Sequence, residues 1–174
     1  MDEKQPIDPS GDCSVHNQSA EDAALLEKYN KIFIGEYSHS LDSKGRIIVP
    51  LAFREGLGDT FYIGPSFNFE SIALYPNLVW AKLRDGYAKI SRFDSGLKRY
   101  LEQFDALCYR GQECDSQGRI LLSKPLLAHA RLEKPALIIG AGRRAEIWNP
   151  EVYEQTMADM TDEKTEEAFI QYGF

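Results

Sequence analysis

A six-residue pattern occurs twice in this 174-residue chain, and that recurrence constrains the fold more than any other feature. Asp42-Ser43-Lys44-Gly45-Arg46-Ile47 returns 73 positions later as Asp115-Ser116-Gln117-Gly118-Arg119-Ile120. At the same offset Leu74-Tyr75 matches Ile147-Trp148, and Trp80 matches Tyr153. Between these anchors the register slips by three, aligning Phe61-Tyr62-Ile63-Gly64 with Leu137-Ile138-Ile139-Gly140. Surface loops absorb such slips at small entropic cost, so the two halves share one architecture. A unit of roughly 50 residues is small for an independent core. Two units packed face to face would share one, which predicts a pseudo-dimer within one chain.

The first thing the motif explains is a turn. Strand-like runs flank each copy, FIGEYSHSL and RIIVP around the first, ALCYRGQEC and RILLS around the second. A three-residue hairpin loop, Ser43-Lys44-Gly45 or Ser116-Gln117-Gly118, needs a left-handed residue at its last position, where glycine carries no Cβ penalty. Asp42 and Asp115 can accept backbone N–H groups across their turns. Arg46 and Arg119 are then close enough to pair with the aspartates, as surface pairs worth about 0–1 kcal/mol. Turn chemistry accounts fully for one such hairpin. It does not account for an arginine after the glycine twice, at matched positions. An arginine at the base of a tight loop offers fixed donors to phosphates or to guanine, and a two-stranded ribbon is narrow enough to enter the major groove. Lys44 adds a phosphate-seeking charge at the first tip, while Gln117 at the second reads a base or nothing.

The rest of the chain supplies a frame. Residues 1–22 are polar and read as a disordered tail, and residues 23–31 as a short helix. FYIG and SIALY form a second pair of strands, and a helix opening at Pro76 or Asn77 runs through LVWAKLRDGYAKI. In residues 96–107, Leu97, Tyr100, Leu101, Phe104 and Leu107 recur at helical spacing. ALIIG and AEIW return to strand, Val152 and Tyr153 begin a last helix, and residues 161–174 are an acidic tail. The expected class is α+β with a mainly β core. The net charge of −7 is concentrated at the ends: −4 on residues 1–31 and −6 on residues 151–174, leaving +3 on residues 32–150. Local field steers an anionic partner, so the negative total does not exclude DNA, nor does +3 require it.

Other chemistries find no constellation. Cys13, Cys108 and Cys114 are odd in number without C-x-x-C spacing, which argues against a disulfide framework or a zinc site and for free thiols in the cytoplasm. No apolar run approaches the ~18 residues of a membrane span, and MDEKQPIDPSGD has no apolar core of a secretory signal. His16, His39 and His129 are scattered, Ser43 and Ser116 have no neighbouring base, and Gly140-Ala141-Gly142 is too short for a dinucleotide loop. Asp42 and Asp115 are explained by their turns rather than as a catalytic pair. Arg143 and Arg144 read as a solvated loop, and Trp80 and Trp148 as core. No enzymatic activity, cofactor, metal or small-molecule substrate is expected.

FIGEYSHSLDSKGRIIVPLAFRE resembles the N-terminal signature of the MraZ family, within the wider AbrB-like swapped-hairpin group. ECDSQGRILLSKPLLAHARL followed by RRAEIW resembles that family's second repeat, so the likeness covers approximately residues 32–154. It implies two tandem AbrB-like swapped-hairpin (double-split β-barrel) units with flanking helices, over residues 32–106 and 107–160. It also implies a cytoplasmic, nucleoid-associated regulator assembled as a homo-oligomeric ring. Such a regulator binds direct repeats in double-stranded promoter DNA, upstream of its own division and cell-wall gene cluster. The family's Asp-x-x-x-Arg motif places DNA binding here at Asp42 with Arg46 and at Asp115 with Arg119. The expected DNA contacts are Ser43, Lys44, Arg46, Arg54, Gln117 and Arg119, held by the turn-forming Asp42, Gly45, Asp115 and Gly118. Pro50 and Arg54 follow the first motif, whereas Ser123 and Leu127 stand at those positions in the second, with a proline at Pro125. The first hairpin is therefore expected to be the main DNA reader. The rival reading, motivated by the net charge and Leu127, is an oligomeric AbrB-like scaffold that docks a protein partner without binding DNA.

Overall fold

The computed structural model describes residues 32–89 and 95–158; the expectations for residues 1–31 and 161–174 lie outside it. In chain order the described elements are β1 (Glu36–Ser40), β2 (Arg46–Ile48), α1 (Leu51–Leu57), β3 (Phe61–Pro65), β4 (Ile72–Pro76), α2 (Asn77–Ala88) and α3 (Ser95–Ala106). They continue with β5 (Tyr109–Gln112), β6 (Arg119–Leu121), α4 (Lys124–His129), β7 (Pro135–Gly140), β8 (Ala145–Trp148) and α5 (Pro150–Ala158). This is the expected α+β class, with all strand pairings antiparallel. None of these helices is long and apolar enough to cross a membrane.

Strand pairing departs from the simple hairpin expected around each motif. β1 and β2 do not form a ladder with each other: β1 pairs with β7, and β2 pairs with β6. The motif turn is closed locally at Asp42 and Arg46, after which the two strands diverge into different sheets. Six strands form one sheet in the order β1-β7-β8-β4-β3-β5, and β2-β6 form a separate two-stranded ribbon. Sequence pattern identifies strands but not their partners, because apolar alternation suits any neighbour whose buried face is in phase.

Two pairings show how the halves are related. Ile47 stands opposite Ile120 in the ribbon, and Ala73 opposite Glu146 in the sheet. Each joins residues 73 apart, and an antiparallel pair of equivalent residues lies on an approximate two-fold axis relating the halves. The register also corrects the slip read from sequence. Ile63 pairs with Leu74 while Ile138 pairs with Ile147, so Ile138 is the structural counterpart of Ile63 and the slip is two, not three. Ile63 and Ile138 are accordingly both buried, whereas Ile139 is only partly so.

Both halves contribute to the main core: Phe33, Ile47, Val49, Phe53, Phe61, Ile63 and Leu74 pack with Ile120, Leu122, Leu126, Ile138 and Ile147. On the sheet's other face Tyr75, Trp80 and Phe104 form one cluster, and Leu137, Trp148 and Val152 another. Trp80 stacks on Tyr62 with ring centroids 4.4 Å apart, and both tryptophans are core residues as expected. Helices α1 and α4 have no counterpart in the sequence reading. They are seven and six residues long, too short for a helical period to emerge from LAFREGL or KPLLAH. Tertiary packing holds them, through Phe53 and Leu57 in α1 and Leu126 in α4. Ser123 caps α4 by accepting the Leu126 N–H at 3.4 Å.

Arg144 is not the solvated residue expected. Its Nε and Nη2 both donate to Glu146 Oε1, at 2.7 and 2.6 Å, and its guanidinium lies 4.8 Å from the centre of the Phe67 ring. Glu146 is only 5% exposed. Its other oxygen accepts from Trp148 Nε1 at 3.0 Å and from Ser71 Oγ at 3.3 Å. The carboxylate thus ties β8 to the end of the β3–β4 connection, beside the two-fold axis.

Candidate nucleic-acid interface

The two motif loops have the same construction. Asp42 Oδ1 accepts the Lys44 and Arg46 backbone N–H groups, both at 2.9 Å. Asp115 Oδ1 accepts those of Gln117 and Arg119, again at 2.9 Å. The second carboxylate oxygen takes the arginine: Arg46 Nε donates to Asp42 Oδ2 at 2.7 Å, and Arg119 Nε to Asp115 Oδ2 at 2.8 Å. Gly45 N–H and Gly118 N–H close the turns on the Asp42 and Asp115 carbonyls at 3.0 and 2.8 Å. Both glycines are left-handed, with φ of +78° and +74°. Aspartate in each loop therefore shapes the backbone with one oxygen and aims the arginine with the other. Ser43, Lys44, Ser116 and Gln117 remain exposed at the tips.

Each loop is also tied to the opposite half. The Gly118 carbonyl accepts the Val49 N–H at 2.9 Å, and the Gly45 carbonyl accepts the Leu122 N–H at 3.0 Å. Val49 and Leu122 are again 73 residues apart. Both loops consequently flank one ribbon, and neither can shift without disturbing the strand that follows the other.

This exchange relocates Arg54. Sequence proximity associates it with the first loop, but its guanidinium covers Gly118 of the second loop and fills the space a Cβ there would need. Its Nε donates to the Val49 carbonyl at 2.9 Å. Its counterpart Leu127 lies against Gly45, 3.3 Å from a Cβ there. The first loop thus carries Lys44 and Arg46 beside Leu127, while the second carries Gln117 and Arg119 above Arg54. The cationic groups are shared between the loops rather than gathered on the first, because the chain crosses from one half to the other between motif and helix.

A Gly118→Ala substitution should therefore be more disruptive than Gly45→Ala. Both impose a side chain on a left-handed residue, a cost of about 1 kcal/mol. Only Gly118→Ala must also displace a guanidinium. Denaturant midpoints of the two variants check this order, and equal losses would mean that Arg54 is not held against the loop.

Hydrogen bonds from the arginines lower the pKa of both aspartates. The Arg46 backbone N–H, ahead of its side chain, holds the Asp42 carboxyl below its ordinary value. The Arg119 side chain, followed by its N–H, brings Asp115 down to about 2 from 3.8. A depressed folded value means that the stabilisation is complete above the ordinary carboxylate range and is lost as pH falls through the folded value. The second loop should hold at pH 4 and open only toward pH 2. A carboxyl-carbon NMR titration of Asp115 should show its midpoint near 2, and a midpoint near 3.8 would show that Arg119 does not hold the carboxylate.

The ribbon's outer face was not singled out in the sequence. In β2 and β6 the central Ile47 and Ile120 are buried, so alternation turns Arg46, Ile48, Arg119 and Leu121 outward. RIIV and RILL carry aliphatic residues on both faces, and only the pairing decides which of them enter the core. Elsewhere, burial raises the Cys114 thiol and pushes Cys108 up to about 12, which leaves both protonated near neutral pH. Among the described residues no group of three His, Cys, Asp or Glu side chains is placed to hold a metal ion.

Comparison with known proteins matches residues 32–101 and 110–171 to a family model described as "MraZ protein, putative antitoxin-like". The chain is 36% identical over 145 residues to "Transcriptional regulator MraZ" of Natranaerobius thermophilus, covering 81% of this chain and 99% of that protein. It is 37% identical over 126 residues to the protein of the same name in Alkaliphilus metalliredigens, covering 71% and 85%. The match to that of Finegoldia magna is 36% over 131 residues, covering 74% and 88%.

Proposed function

The chain belongs to the MraZ family, and on that premise we propose that it is a DNA-binding transcriptional regulator working through its two Asp-Ser-x-Gly-Arg loops. The observation that carries this reading is the pair of matching loops on one ribbon, each with an arginine aimed by its own aspartate. The side chains of Arg46 and Arg119 are 30% and 24% exposed, and their terminal nitrogens have donors to spare. A two-stranded ribbon fits the major groove, where such an arginine can bind guanine or a flanking phosphate. Ser43, Lys44, Gln117 and Arg54 complete the contact set, with Arg54 acting beside the second loop. The cross-paired strands favour two swapped-hairpin units of the AbrB-like kind, over residues 32–106 and 107–160. The finer reading is a cytoplasmic, nucleoid-associated ring of identical subunits on promoter direct repeats upstream of its own division and cell-wall genes. Repetition of subunits would multiply a weak individual contact. No catalytic step, cofactor or small-molecule substrate belongs to it.

Titration with the duplex upstream of the chain's own gene and with random duplex, at two salt concentrations, tests this reading. A specific complex whose affinity falls steeply with salt is expected. Lys44→Ala should weaken both duplexes alike and reduce the salt slope by about 1 per bound subunit. If an oligomer forms but neither duplex is preferred, the protein-docking scaffold becomes the better reading.

A further inference from the structure

The ribbon between the loops presents two large aliphatic side chains to solvent. Ile48 is 43% exposed and Leu121 59% exposed. Single exposed aliphatics are ordinary on a protein surface. These two are not isolated: they are 73 residues apart, as are Arg46 and Arg119, so all four obey the approximate two-fold relation of the halves. Register sets Arg46 directly beside Leu121 and Ile48 directly beside Arg119. Cross-strand neighbours stand about 5 Å apart at Cβ. The outer face is therefore a four-residue square in which each aliphatic adjoins an arginine, between the two exposed loop tips. The fold does not need large apolar groups there, since Ile47 and Ile120 on the opposite face fill the core.

We propose that Ile48 and Leu121 are specificity-determining residues that pack on thymine methyl groups in the major groove while Arg46 and Arg119 bind guanine or phosphate beside them. This rests on the DNA-binding reading and deepens it. The arginines supply the charge complementarity that commits this face to a nucleic acid, and thymine C5-methyl is the apolar feature of the groove edge. An aliphatic side chain gains on that methyl group and gains nothing on cytosine at the same place. The loops fix the ribbon's height and the arginines its lateral position, so the aliphatics discriminate between bases that the arginines leave undistinguished.

The first comparison leaves the protein unchanged. A duplex is selected by the full-length wild-type chain from random-sequence DNA, then resynthesised with deoxyuridine in place of thymidine, which removes the methyl groups alone. The wild-type chain should bind the uracil duplex more weakly, by about four-fold for each methyl it covers. An Ile48→Ala/Leu121→Ala double variant should bind the thymine duplex more weakly than wild type and no longer distinguish it from the uracil duplex. Equal wild-type affinity for the two duplexes overturns the proposal, as does a double variant that still discriminates or a selected site without thymine. Loss of self-association in the variant with discrimination intact would assign this face to a second copy of the chain and equally overturn it. Failure to select any duplex would instead defeat the DNA-binding reading itself.

Discussion

An Arg144→Ala variant is expected to lose about 3 kcal/mol of folding stability, the lower end of what breaking a buried ion pair costs. The reason lies in what it leaves behind. Glu146 is 5% exposed and would retain only Trp148 Nε1 and Ser71 Oγ as partners, neither of them charged. Arg144 itself is better placed to do without its partner, because its side chain is 23% exposed and can reach water. Glu146→Gln should accordingly cost less than Arg144→Ala, since the amide oxygen can still accept and the arginine can hydrate. Arg144→Lys keeps the charge without the paired N–H donors and should fall between. Arg143→Ala, at the exposed neighbour, should stay within about 0.5 kcal/mol of wild type. Chemical denaturation of the four variants gives the order. A loss for Arg143→Ala matching that for Arg144→Ala would show that loop composition, not the ion pair, sets stability here.

The second large effect is expected on DNA. Arg46→Ala should weaken specific binding by about 10- to 100-fold, the worth of one good arginine–base contact. Folding should change little, because the Asp42 pair it removes lies at the surface, where water screens it and such pairs contribute little. The equal construction of the loops predicts that Arg119→Ala costs nearly as much as Arg46→Ala. This departs from the ranking suggested by sequence alone, in which Arg54 favoured the first loop. Arg54 lies against Gly118, so its charge acts beside the second loop and offsets the absence of a lysine at Gln117. Quantitative binding of the two single variants and the double variant to a selected duplex decides between these rankings. Unchanged affinity for Arg46→Ala in a folded chain would sink its proposed role. A silent Arg119→Ala would restore the first loop as the principal reader.

The repeat, the turn chemistry and the family were all legible in one sequence. Asp-Ser-x-Gly-Arg specifies its own turn because every interaction within it is local: one aspartate reaches two backbone N–H groups and a side chain within four residues. Leu74 and Ile147 announced core strands, and residues 77–88 and 96–106 showed helical spacing long enough to be read. The short helices α1 and α4 were invisible, because fewer than two turns carry no period and their stability comes from what they pack against.

The sequence by itself determined that this chain contains two copies of one unit and that each copy ends a strand in an arginine-bearing turn. Only the tertiary structure decided which strand pairs with which. β1 runs to β7 and β2 to β6 because non-local pairing depends on which buried faces are in phase across both halves, and no stretch of chain records its partner. That exchange sends Arg54 to the second loop and sets Ile48 beside Arg119. Each of these placements joins residues distant in sequence, and each is fixed by packing rather than by local propensity.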